Sequence, residues 1–187
     1  MTKDFLYEDL VVRYKDNFVP VKIPADKISA IKDLAQKIVE AKSQEEHHQI
    51  DSNHEYKRFY TGLLGESALE ILLGINIIDW ECGDSSKYNH PDIKELGIGV
   101  KTVERNKFPI IFKNNKYPQI ICVVSDKRPD VVFVCGLATV DVLNRFQSDM
   151  LVLSPSLRDR NTKTGFYGFC KLKKISNLEE LKKILKN

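Results

Sequence analysis

The 187-residue chain is 42% hydrophobic and 29% charged, with a formal net charge of +3, proportions that fit a globular protein and exclude a disordered or fibrous one. No apolar stretch reaches membrane-span length, and "MTKDFLYEDL" lacks the basic and apolar regions of a secretory signal, so a cytoplasmic protein with no membrane partner is expected. Cys82, Cys122, Cys135 and Cys170 stand far apart without a CxxC or CxxH pair, which argues against structural zinc and a disulfide framework.

In chain order, "DLVVRYKDNFVPVKIP" has two apolar arms around Asp16-Asn17 and reads as an N-terminal hairpin. "ADKISAIKDLAQKIVEAK" repeats apolar residues at Ile28, Ile31, Leu34, Ile38 and Val39, the period of an amphipathic helix. The polar stretch "SQEEHHQIDSNHE" reads as a helix end and loop. "YKRFYTGLLGESALEILLG" is a second helix, with Gly74 as its C-terminal cap. "INIIDWE" reads as a strand, "CGDSSKYNHP" as a loop and "HPDIKELGIGVKT" as a tight hairpin. "QIICVVS" and "DVVFVCG" are continuous apolar runs, as expected of central strands covered on both faces. Cys122 and Cys135 within them read as small buried hydrophobes. "TVDVLNRFQ" is a short helix, "DMLVLS" a strand, "LRDRNTKTG" a basic loop and "FYGFCKLKKI" a late strand. "SNLEELKKILK" closes the chain as a helix, capped by Ser176 or Asn177 with Glu179 or Glu180 reaching back. The expected fold is one α/β domain over residues 1–187, with a mixed sheet of four to six strands flanked by helices. Its parts are an N-terminal hairpin and helix (1–50), a core (55–148) and a basic C-terminal part (149–187).

Two features carry chemistry. If Leu96-Gly97 form a two-residue turn, Asp92 falls opposite Lys101, with Cβ atoms roughly 4.5–5.5 Å apart. A salt bridge or half of an active site would both explain the pair. On the second helix, Glu66 sits with Leu63 three residues before it and Leu69 three after, where a carboxylate is costly to bury unless it meets a cation, a metal or several donors. Gly62 and Gly65 beside it would let another backbone come close, and Glu70 shares the stripe one turn on.

The order "GLLGES" (62–67), "HPDI" (90–93), "GVKT" (99–102) resembles the PD-(D/E)xK, or restriction-endonuclease-like, nuclease superfamily. There a helix glutamate precedes a "PD" at a strand start and "(D/E)xK" on the next strand. The resemblance covers residues 56–148 and implies a Mg²⁺-dependent DNA endonuclease of restriction, phage DNA-processing or repair type, with Mn²⁺ as a substitute. It implies Asp92 and Glu66 as carboxylate ligands, the Val100 carbonyl as a third ligand, and Lys101 as the residue that orients or deprotonates the attacking water. Glu70, His90 and Thr102 adjoin these positions and are candidates for supporting contacts. The chain departs from the pattern at the first position of "(D/E)xK", which is Gly99. The resemblance then implies that Glu66 takes over the carboxylate role. Glu104 has the opposite strand parity to Lys101 and should face away.

Charge is unevenly spread. Residues 1–100 hold 12 Lys+Arg against 18 Asp+Glu and residues 101–187 hold 17 against 8, or −6 and +9. A basic half suits a polyanionic partner, and Lys107, Lys113, Lys116, Arg158, Arg160 and Lys163 are expected to contact DNA phosphates without reading bases. Tyr117, Phe166 and Tyr167 interleave with them and read as packing. The same reading admits a homodimer. Three histidines with Asp51 and Asn53 lack the ββα frame and ligand spacing of an HNH nuclease, and "TGLLGES" lacks the Gly-Lys-Ser/Thr of a phosphate-binding loop. The alternative functional class is a catalytically inactive DNA-binding or assembly module that retains the fold.

Overall fold

In the computed structural model, residues 3–43, 52–81 and 91–186 are described. His90, Cys82 and most of the histidine-bearing stretch lie outside them. Among the described residues, six helices and seven strands follow one another as α1 (Lys3–Leu10), β1 (Val19–Lys22), α2 (Ala25–Ser43), α3 (Ser52–Leu73), β2 (Gly99–Glu104), β3 (Ile110–Phe112), β4 (Gln119–Val124), β5 (Val131–Ala138), α4 (Val140–Arg145), β6 (Gln147–Ser148), α5 (Pro155–Asp159), β7 (Lys163–Phe166) and α6 (Leu178–Lys186). The fold is α/β. A four-stranded mixed sheet runs in the order β1-β5-β4-β2, and a three-stranded sheet in the order β3-β7-β6.

The mixed sheet is covered on both faces. In β4, Ile120, Cys122 and Val124 pack into one cluster with Leu64, Ala68 and Leu69 of α3, Ile31 and Leu34 of α2, and Leu181 of α6. Ile121 and Val123 point the other way, into a second cluster with Tyr7 of α1, Ile111 of β3, Leu143 of α4 and Phe166 of β7. Two-sided burial explains why β4 and β5 read as unbroken apolar runs. Truncating fully buried Leu69 to Ala would cost about 2–5 kcal/mol. The Cys122 and Cys135 side chains are buried in these strands, where desolvation pushes both thiols up.

The helices follow their sequence signals. Gly74 adopts φ 68° just past α3 and its N–H donates to the Glu70 carbonyl at 2.9 Å, the left-handed stop that lacks a Cβ penalty. At α6 the Asn177 side chain accepts from the Glu180 N–H at 2.9 Å. The Glu180 carboxylate reaches back to the Ser176 N–H at 2.8 Å and its hydroxyl at 2.6 Å, closing the predicted capping box.

Four expectations need correction. The N-terminal hairpin is absent: residues Val12–Asn17 form a 3₁₀ turn, and β1 pairs antiparallel with distant β5. Tyr7 and Val11 are instead drawn into the second cluster. "INIIDWE" is not a strand. Its Ile77 and Ile78 amides donate to the Glu70 side chain at 2.8 and 2.9 Å instead of to a neighbouring strand. "DMLVLS" begins as a 3₁₀ turn over Asp149–Leu151. The late strand comes earlier than expected: β7 starts at Lys163, inside the expected basic loop, and ends at Phe166, with a 3₁₀ turn over Phe169–Lys171 after it. No helix among the described residues is long and apolar enough to cross a membrane.

Candidate active site at the free edge of β2

β2 pairs parallel with β4 on one side, with Gly99 level with Gln119 and Lys101 level with Ile121. Among the described residues, its other side is open except for the short turn that precedes it. That turn corrects the expected hairpin register. Ile93 pairs with Ile98, a 3₁₀ turn covers Lys94–Leu96, and Gly97 takes φ 63°, a left-handed value that glycine adopts without steric cost. Because the turn uses residues 94–97, Asp92 comes level with Gly99 and not with Lys101.

Backbone alternation then aims the edge groups. The Gly99 N–H donates toward β4, to the Pro118 carbonyl at 2.9 Å, whereas the Ile98 N–H turns the other way, to Ile93. Val100 has the parity of Ile98 and faces the open edge, where its N–H donates to Asp92 Oδ2 at 2.5 Å. The carbonyl of a strand residue points to the same side as its N–H, so the Val100 carbonyl also faces the Asp92 side.

Glu66 approaches from α3, which lies on the β2 face carrying Val100 and Thr102. The helix comes very close: a Cβ added at Gly65 would sit 1.7 Å from Thr102 Oγ1. Gly65 is therefore the residue that permits the approach, while a Cβ at Gly62 would meet nothing within 4 Å. Thr102 serves this contact, and its buried Oγ1 has no hydrogen-bond partner among the described residues.

Electrostatics show which groups come together. Glu66 is half-buried. Desolvation pushes its carboxyl up to about 8, the Asp92 and Glu70 charges push the same way, and Lys101 pulls it partly back. Asp92 keeps an exposed edge, yet desolvation raises its carboxyl against the opposing pull of the Val100 N–H and Lys101. Two carboxylates thus share a field with one lysine. They are hard oxygen donors short of positive charge, the donor set that suits Mg²⁺.

Glu70 is placed differently from its expected supporting role. Its carboxylate is buried, pairs with Lys27 at 2.8 Å and accepts from Ile77 and Ile78. Burial alone would raise it, but Lys27 and the two amides outweigh burial and hold it low. Glu104, of opposite parity to Lys101, lies on the α3 side of β2 with Thr102 and pairs with Lys57 of α3 at 2.9 Å and with Lys107 at 2.6 Å.

The expected basic residues divide. Lys107 is neutralised by Glu104, and Lys113 by Asp149 at 2.7 Å with Asn161 Oδ1 at 2.5 Å. The Arg158 Nε donates to the Val152 carbonyl. Lys116 is exposed. Lys163 and Arg160 do gather by the site: burial lowers the Lys163 ammonium, and the nearby charges of Lys101, Arg58 and Arg160 lower it further. Arg58 was missed in the sequence, although it precedes Glu66 by two helical turns and so shares its face.

Tyr117, read from the sequence as packing, packs beside the site itself. Its half-buried ring stands over Gly99, where an added Cβ would meet Tyr117 Cε2 at 2.8 Å. Burial and then the Asp92 charge raise its phenol. No local signal could reveal it, because the parallel pairing of β2 with β4 creates the contact. No protein-family model, curated protein or solved structure matches this chain.

Proposed function

We propose that the chain is a Mg²⁺-dependent DNA endonuclease of the restriction-endonuclease-like type, working in the cytoplasm, with Mn²⁺ able to replace Mg²⁺. The observation that carries this reading is the convergence of Glu66 and Asp92 beside Lys101, at a strand edge that also presents the Val100 carbonyl. Burial and a like-charged neighbour make the Glu66 carboxylate costly, and a hard cation held by Glu66, Asp92 and the Val100 carbonyl removes that cost. When bound, the cation supplies charge neutralisation at the phosphate and a more acidic water. Lys101 orients the attacking water and offsets negative charge as the bond from water to phosphorus forms and the bond to the leaving sugar oxygen breaks. Arg160 and Lys163 hold neighbouring phosphates, and Arg58, paired with Glu55 at 3.2 Å, adds to the positive field beside them.

Asp92→Asn tests the reading. The variant should lose cleavage of plasmid, linear and branched DNA in Mg²⁺, and calorimetry should register weaker Mn²⁺ binding at an unchanged unfolding midpoint. Unchanged turnover and Mn²⁺ affinity would remove Asp92 from the site and sink the proposal. Gly99 favours one other reading, an inactive DNA-binding or assembly module, since position 99 supplies no carboxylate. DNA binding by a wild-type protein that takes up no Mn²⁺ would select that module.

A further inference from the structure

Gly99 presents no side chain on β2, and the volume beside it is not empty. The Tyr117 ring occupies it, with Cε2 2.8 Å and Cδ2 3.5 Å from where a Cβ at 99 would stand. The hairpin brings Asp92 level with the same residue. The chain on either side of Tyr117 is fastened by a series of amides. The Asn115 N–H donates to Asn144 Oδ1 at 3.0 Å, its side-chain amide to the Phe112 carbonyl at 2.8 Å and to Asn144 Oδ1 at 3.1 Å, and the Gln119 amide to Asn115 Oδ1 at 3.2 Å. Both Asn115 and Gln119 are buried. With Pro118 fixed on the Gly99 N–H, the backbone on each side of Tyr117 is fastened. Such fastening is unusual for a loop whose aromatic residue merely covers the surface.

We propose that Tyr117 is the positioning residue of this site: its ring fills the place of a side chain at 99 and holds the Asp92 carboxylate in its cation-binding orientation. Gly99 and Tyr117 form a coupled pair: the glycine leaves the volume that the ring fills. The ring acts through Asp92, so the inference rests on the nuclease reading for its consequence, but not for its geometry. The desolvated phenol beside Asp92 agrees with this placement.

The test is a double-mutant cycle on the full chain with two readouts. In chelator, Gly99→Glu should lower the unfolding midpoint by about 5 °C, because the new side chain meets a fixed ring, and should cost much less on a Tyr117→Ala background. Equal losses in both backgrounds would overturn the occupancy claim. Mn²⁺ calorimetry then reads the consequence. Tyr117→Ala should weaken Mn²⁺ binding about tenfold and lower kcat at near-constant KM. Tyr117→Phe, which keeps the ring, should recover most of both, and Tyr117→Ala/Gly99→Glu should regain Mn²⁺ affinity through its new carboxylate. A Tyr117→Ala variant with wild-type Mn²⁺ affinity and kcat would overturn the positioning role. If no variant, wild type included, binds Mn²⁺, the nuclease reading fails and the positioning role falls with it, while the chelator cycle still decides whether Tyr117 occupies position 99.

Discussion

Glu66 and Glu70 are one turn apart on α3, yet the fold treats them in opposite ways. Glu70 has every partner a buried carboxylate needs: the Lys27 ammonium and two backbone amides. Its charge is stabilised and its proton affinity low. Glu66 is desolvated, faces Asp92, and is offset only by Lys101; it is raised to about 8. One carboxylate has been spent on structure, fastening the segment after α3 to the helix. The other is kept short of positive charge, which is the condition that favours binding a cation. Perturbation by burial plus a specific charge, at an open edge, supports the proposed functional reading of Glu66.

The largest effect expected from separating the two roles is on cleavage. Glu66→Gln should slow DNA cleavage roughly 100- to 1000-fold while leaving the unfolding midpoint in chelator unchanged or higher. Glu70→Ala should do the reverse. It strands the Ile77 and Ile78 amides and the Lys27 ammonium, costing about 3 kcal/mol of stability, with kcat retained below the lowered midpoint. Calorimetry and single-turnover cleavage on both variants decide it. Matching losses of activity in the two would erase the distinction drawn between them.

The comparison also has a pH signature. The folded-state affinity of Glu66 for its proton is raised above the unfolded value, so the unfolded chain releases that proton first. Its contribution to stability is therefore present at low pH and lost as pH climbs from about 4.5, the ordinary value, toward about 8. Glu70 is depressed, so its contribution is present above the ordinary carboxylate range and lost as pH falls below it. Unfolding midpoints in chelator should decline from pH 5 to pH 8 in the wild type, and Glu66→Gln should flatten that decline. Glu70→Gln should keep most of the decline, lessened by loss of the Glu70 charge that helps raise Glu66, and blunt the loss on the acid side. A wild-type profile flat between pH 5 and 8 would contradict the assignment for Glu66.

How far these roles could be read from the sequence depended on how local their causes are. The α2 and α3 helices, the Gly74 stop and the Asn177–Glu180 cap were legible because period and capping act within a few residues. The β4 and β5 runs were legible because burial on both faces leaves no polar position. Glu66, Asp92 and Lys101 were found through their order along the chain, and their convergence was expected, although the register was not. The Lys94–Leu96 turn moved Asp92 to the level of Gly99, and hydrophobic alternation alone does not count turn residues. The "INIIDWE" stretch misled because its isoleucines have strand propensity, whereas its amides are satisfied by a glutamate side chain. Tyr117 and Lys163 were named in the sequence, but their places beside Gly99 and Lys101 follow from pairings across the sheets that no local window contains.

The smallest predicted effect isolates the cation of the structural carboxylate. Lys27 Nζ lies 2.8 Å from Glu70 Oε2 with its side chain 28% exposed, so water already screens the pair and the ion pair itself contributes modestly. The two amides stay bound to Glu70 when Lys27 is removed. Lys27→Met keeps the apolar stem packed while deleting the charge, and should cost about 1 kcal/mol, a fall of about 2–4 °C in the midpoint for a chain of this size. Lys27 is not among the charges acting on Glu66. Cleavage rate and Mn²⁺ affinity should therefore match the wild type, although Glu70 is one turn from the site. If Lys27→Met instead changed Mn²⁺ affinity several-fold, the two carboxylates would be one coupled unit, and the structural role of Glu70 would have to be extended to the site.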